Sequence, residues 1–301
     1  LISADPEETM GEVIDKAMQG AHPGPADGSQ PQLGVPGVDP VEPAGCRIRT
    51  GLESCGLCAP DTAAVLVRLA SGASLDLISR QIAAGQLLRK RSRSGRKHVL
   101  TAIRRRYLQA LKPLPRIPEV AAALRRITAP VGRHQVLLPY LLLADRAAYE
   151  VATGLVLSRL AFGGRLTKAE VVEALDALLA SRGQKRWCDA LRKRWAEGLL
   201  SVLRDIGAVG RGRRREELQA YSVRPEAFCF HLWGLYDNGL RGSPLHESPF
   251  WRGILLQPED ARRMVGLVSD RGWWKFTSLG GTDEVVPVHG SLMEWIAVGL
   301  G

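Results

Sequence analysis

The sequence predicts a mainly α fold: a helical, multi-segment protein with an N-terminal helix-turn-helix and a C-terminal winged-helix-like hairpin. Three observations carry that prediction. Apolar residues recur at helical spacing through most of the chain after Cys46. Serine, threonine and glycine stand at the ends of those apolar stretches, where helices start and stop. Near the C-terminus, Trp273 to Leu279 and Glu284 to Val288 read as strands closed at Gly280-Gly281.

Residues 1–45 stand apart. They hold seven Pro, seven Gly and one Lys against eight acids, a net of −7. Asp5-Pro6-Glu7-Glu8 could cap a short helix, with Pro6 in its first turn. Beyond Gly20 the composition is that of a disordered acidic linker, because it offers too little apolar surface to bury. The chain opens on Leu, which suggests a non-standard start codon or an over-extended reading frame.

Residues 46–112 form the expected helix-turn-helix region. Asp61 and Thr62 precede Ala64, Val65, Leu66 and Leu69, a first helix stopping at Gly72. Ser74 caps a second, with Leu75, Ile78 and Ile82 on one face and Gly85 as its close. Ser94 opens a third, in which Val99, Leu100, Ile103 and Tyr107 share one face while Lys97, Thr101, Arg104 and Arg105 share another. Residues 113–222 form a helical body. Pro113, Pro115 and Pro118 break the chain, two or three Leu/Ala-rich helices follow over 119–160, and Pro139 lies inside an apolar run. Thr167-Lys168-Ala169-Glu170 is a capping box. The next helix buries Trp187, Leu191, Trp195, Leu199, Val202, Leu203 and Ile206 and stops at Gly207. Residues 223–301 form the winged-helix-like region, with helices around Phe228 to Leu235 and Pro258 to Val268 before the hairpin.

Charge is distributed unevenly along this scaffold. The chain is +10 overall. Arg80 to Arg133 alone carries fifteen Lys or Arg against Glu119, a net of +14, so the rest sums to −4. Without residues 1–45 the remainder is +17, the whole-chain +10 plus the tail's 7. Such a block is the footprint of a polyanion partner, most often nucleic acid. Its densest part, Arg89, Lys90, Arg91, Arg93, Arg96 and Lys97, falls where the second helix gives way to the third. Those side chains can neutralise phosphates and release counterions. Six to ten such contacts would lower affinity by about 10³–10⁵ between 50 and 200 mM salt. Lys97, Thr101, Arg104 and Arg105 could face a groove, and the third helix has few Asn or Gln with which to read adenine. A solvated basic face, or a surface for an acidic protein, is the alternative. Arg211, Arg213, Arg214 and Arg215 form a smaller patch, a tight turn that can rest on nucleic-acid phosphates or stand as a solvated loop, partly offset by Glu216 and Glu217.

Other chemistry is thinly represented. Five cysteines give an odd count with no framework, which fits a reducing cytoplasm. Cys55-Gly56-Leu57-Cys58 has zinc-knuckle spacing, but no second pair follows at a usual distance, so buried or inert thiols are the favoured reading and no metal or cofactor is expected. The six histidines are scattered. No acid–base, nucleophilic or metal constellation assembles, so no enzyme activity is expected. The longest apolar stretch, Val136 to Ala144, contains Pro139 and is about half what a bilayer requires.

With these residues in place, the chain resembles the BrxA family of BREX phage-defence systems over roughly residues 46–296. The resemblance lies in Arg49-Thr50-Gly51 and Ala59-Pro60-Asp61, and in Gln86-Leu87-Leu88-Arg89-Lys90-Arg91-Ser92 leading into Ile103-Arg104-Arg105-Arg106-Tyr107. It continues through Gln135 to Tyr149, Leu203-Arg204-Asp205-Ile206-Gly207, Phe250-Trp251-Arg252 and Gly272-Trp273-Trp274-Lys275-Phe276. It implies a helix-turn-helix region on a helical body similar to the antiterminator NusB. It further implies binding to double-stranded DNA beside other phage-defence proteins in a cytoplasmic complex, with no catalysis. The apolar runs do not support the inner-membrane label that members of this family have carried. An assembly scaffold for an acidic protein, or an RNA-binding NusB-like protein, are the alternatives.

Overall fold

The computed structural model describes residues 51–52, 55–108, 113–210 and 216–300, which belong to one compact unit spanning residues 38–301. The expectations for the acidic tail and for Cys46 lie outside the described residues. Among the described residues the fold is mainly helical, with thirteen α-helices and one two-stranded antiparallel sheet at the C-terminal end.

Helix α1 (Ala59–Ala70) starts two residues earlier than Asp61 suggested, because Pro60 occupies its first turn. Asp61 is buried inside it, and the Thr62 hydroxyl donates to the Leu57 carbonyl. Ser74 caps α2 (Leu75–Ala83) as expected, accepting from the Leu77 amide. Helix α3 (Arg93–Tyr107) is capped by Ser92 and not by Ser94: Ser92 is extended, and its hydroxyl accepts from the Gly95 amide at 3.0 Å. That shift of two residues brings Arg93 into the helix.

Helices α4 (Ile117–Arg126) and α5 (Pro130–Ala144) follow. From Val136 onward helix α5 is apolar on every side, as a helix at the centre of a core must be, and α1, α3 and α4 all pack on α5. Pro139 within it has no amide to give the carbonyl one turn back, that of Gln135. The buried His231 supplies the missing partner, its Nε2 lying 3.3 Å from the Gln135 oxygen. The Gln135 side chain, also fully buried, donates to the Ile206 and Ser222 carbonyls and accepts from the Arg224 amide. One turn of α5 thereby fixes three distant segments.

Helix α6 (Arg146–Val151) continues through a π-helical turn, Ala152–Val156, into α7 (Leu157–Phe162). The capping box of α8 (Lys168–Ser181) is complete in both directions between Thr167 and Glu170. Helix α9 (Asp189–Asp205) buries Trp195, Leu199, Val202 and Leu203 but begins after Trp187, which sits half-buried ahead of it. Gly198 lies where α9 crosses the chain at Leu52: a Cβ there would meet the Leu52 carbonyl oxygen at 2.5 Å.

Helix α10 (Pro225–Asp237) is followed by α11 (Ser243–Glu247), a 3-10 turn at Pro249–Ile254 and α12 (Pro258–Asp270). Strands β1 (Trp274–Leu279) and β2 (Thr282–Pro287) pair from Trp274↔Pro287 to Leu279↔Thr282. Gly280 and Gly281 both have positive φ, which the two-residue turn demands of them. Asp283 on β2 accepts from Arg262 of α12 and lies 2.8 Å from His246 of α11, so one carboxylate joins three elements. Arg262 holds that carboxyl well below the usual carboxylate range. Helix α13 (Leu292–Val298), capped by Ser291, returns to pack on α4. It and α11 were not foreseen from the sequence.

Candidate nucleic-acid interface

The framework beneath the basic block is apolar. Val99, Ile103 and Tyr107 turn the inner face of α3 into the core, and the Tyr107 ring lies 5.1 Å from that of Tyr140 on α5. Residues 84–92 join α2 to α3, a longer connection than the three to four residues of a compact helix-turn-helix. That connection is pinned at both ends. The Arg89 amide donates to the buried carboxylate of Asp61 at 2.9 Å. From α3, Arg96 donates to the Arg91 carbonyl at 2.7 Å, the Lys90 carbonyl at 3.4 Å and the Ala83 carbonyl at the end of α2 at 3.0 Å.

The expected interface residues therefore divide. Arg89, Lys90, Arg91, Arg93 and Lys97 are exposed, and their side chains make no ion pair among the described residues. Thr101 is exposed one turn beyond Lys97, its hydroxyl donating to the Lys97 carbonyl. Arg96, Arg104 and Arg105 are half-buried and already engaged. Arg104 donates to the Ser79 hydroxyl on α2 at 2.8 Å, and Arg105 lies 3.6 Å from the buried Asp145. Arg106 is interior, 1 % exposed, and donates to the Cys55 and Gly56 carbonyls. The surface is a row of five cations and a hydroxyl along the 84–92 connection and the first turns of α3, with a second set of arginines bracing it from behind. Arg211, Arg213, Arg214 and Arg215 lie outside the described residues.

Sequence reasoning set Asp61 just ahead of the first helix and gave it no part in the basic block; it lies inside α1 and anchors the basic connection. No spacing in the sequence pairs it with Arg89, 28 residues on. The hairpin is not a second basic surface: β1 and β2 carry Lys275 against Asp283 and Glu284. A cavity of about 410 Å³ lies elsewhere, lined by Leu157, Tyr221, Leu256 and Met264 among others, and its charged residues, Asp260 and Arg263, pair with each other. Among the described residues no group of three His, Cys, Asp or Glu side chains is placed to hold a metal, and no helix is long and apolar enough to cross a membrane.

No family model matches the sequence, and no curated protein matches it. Among solved structures, the chain is similar to the crystal structure of an uncharacterized protein from Magnetospirillum magneticum. The TM-score is 0.52 at 16 % identity, over 69 % of this chain and 98 % of that one. At that identity the likeness is one of fold, over the 69 % of this chain that is matched.

Proposed function

We propose that this protein binds double-stranded DNA, without catalysis, as a component of a BREX-type phage-defence system, alongside that system's other proteins in the cytoplasm. The observation that supports the binding is the row Arg89, Lys90, Arg91, Arg93 and Lys97: exposed, unpaired among the described residues and carried on a connection fixed by Asp61 and Arg96. Fixing the backbone of the connection in advance removes the cost of ordering that segment on a ligand, and leaves only the side chains to be ordered. The defence-system setting rests on the BrxA resemblance alone.

The residue types favour phosphate contact over base reading. Helix α3 carries no Asn or Gln, and the two arginines expected to face a groove, Arg104 and Arg105, are held by Ser79 and Asp145. The expected behaviour is sequence-tolerant, salt-sensitive binding. Fluorescence anisotropy with labelled duplexes of unrelated sequence tests it, with a structured RNA and polyglutamate as competitors. Similar affinity for all duplexes, with neither competitor displacing them, supports the proposal. Displacement by RNA would favour the RNA-binding reading, since A-form grooves admit a helix poorly. Displacement by polyglutamate would favour an acidic protein partner.

A further inference from the structure

The Cys55-Gly56-Leu57-Cys58 segment brings two free thiols into contact. Its two sulfur atoms lie 3.2 Å apart at the N-terminal end of α1. Cys58 caps that helix in the left-handed conformation, with φ 46°, one of two non-glycine residues there among the described residues. Directly behind the pair sits Arg106. A buried guanidinium ordinarily has a carboxylate beside it, because an uncompensated charge is costly to desolvate. Arg106 has no carboxylate ion pair among the described residues, and its two hydrogen bonds go to the carbonyls of Cys55 and Gly56. A thiolate at Cys55 is the anion this arrangement accommodates.

We propose that Cys55 and Cys58 form a peroxide-sensitive dithiol, which closes reversibly into an intramolecular disulfide. The inference concerns sulfur chemistry and is independent of the nucleic-acid reading. Hydrogen bonding from Cys58, with Arg106 and Lys90 nearby, lowers the Cys55 thiol to about 7, against burial, which acts the other way. The same proton keeps Cys58 a thiol well above the usual range. Cys55 is the attacking sulfur and Cys58 the resolving one. Cys58 is half-exposed, which gives a water-sized oxidant a way in.

The chemistry balances with hydrogen peroxide as oxidant. The Cys55 thiolate attacks one peroxide oxygen. An S–O bond forms, the O–O bond breaks, and hydroxide leaves and takes up a proton as water. The Cys58 sulfur then attacks the Cys55 sulfenic sulfur. The S–S bond forms, the S–O bond breaks, and the departing hydroxide takes the Cys58 proton as a second water. The two sulfurs lose two electrons together and the peroxide gains them. Closure needs the sulfurs to approach by about 1 Å, from contact to a bond of about 2.05 Å. The other described cysteines lack this setting. Cys229 is fully buried, its thiol pushed up by that burial, and Cys188 is exposed with no cysteine beside it among the described residues.

The test uses the full-length protein, reduced and folded. It is treated with hydrogen peroxide, alkylated under denaturing conditions, digested and weighed. The expected result is a Cys55–Cys58 bridge, free thiols falling from five to three, and full recovery with dithiothreitol. Bridging should be about tenfold faster at pH 8 than at pH 6, against about 75-fold for a thiol at the ordinary value near 8.5. In C58S, dimedone should trap a sulfenic acid at Cys55. Five thiols surviving the peroxide would overturn the proposal. So would a bridge to Cys46, irreversible oxidation of Cys55 without a bridge, or stoichiometric zinc on the pair in the purified protein.

Discussion

Residues Arg89 to Lys97 hold six cations that are alike in the sequence and unlike in the structure. Arg91 is exposed without an ion pair among the described residues, whereas Arg96 ties two loop carbonyls and the end of α2 together. The two should separate cleanly on substitution. Arg96→Ala leaves three carbonyls without their charged donor and is expected to destabilise the protein by about 1–3 kcal/mol. Arg91→Ala should stay within about 0.5 kcal/mol of the parent. Urea denaturation of both variants checks this; equal stability would show that Arg96 is not a brace. The basic block was legible as a count of charges and as a position along the chain. Which of its members face outward was not, because that depends on carbonyls at Ala83, on Ser79 and on Asp145, brought near by the fold and not by spacing.

At the scale of elements, most of the helical pattern could be read directly. Ser74 and Thr167 cap as their spacing implies, Gly280-Gly281 closes the hairpin, and the buried stripe of α9 is present from Trp195 onward, with Leu191 half-buried ahead of it. The exceptions have local causes. Ser92 and Ser94 are equally good caps in isolation, and the bond from the Gly95 amide selects the first. The short α11 and α13 give too few residues for a period to show. Pro139, which the sequence places inside an apolar run, is accommodated within α5, because His231 satisfies the carbonyl that the proline cannot. That substitution of partners has a pH signature. Burial lowers His231 to about 4, so between roughly pH 6.5 and pH 4 the unfolded chain binds a proton that the folded chain excludes. Stability should be full above about pH 6.5, fall by up to about 3 kcal/mol as the pH drops toward 4, and level off below it. Urea titrations across this range check the slope, and His231→Gln should flatten it. An unchanged slope in that variant would place its origin elsewhere. Gly198 makes a second element-scale point. A helix-interior glycine ordinarily lowers helix stability, yet here Gly198→Ala should destabilise by about 1–3 kcal/mol, since the new methyl would collide with the Leu52 backbone. A stability gain in thermal melts would mean that α9 and the Leu52 segment are not in contact.

For the whole molecule, the charge has a direction. The described C-terminal hairpin brings no positive surface, and the acids Asp61 and Asp145 are buried against the basic region as anchors, leaving its exposed row uniformly positive. The central claim is that this row holds DNA by its phosphates. The most direct measurement is the salt dependence of duplex affinity, compared between the parent protein and a variant with Arg89, Lys90, Arg91, Arg93 and Lys97 all changed to Ser or Gln. Five phosphate contacts correspond to a slope of log affinity on log salt of about −4.5, or about 500-fold between 50 and 200 mM. The variant, still folded by circular dichroism, should lose about that much slope. A variant that keeps both the affinity and the slope of the parent would contradict the account.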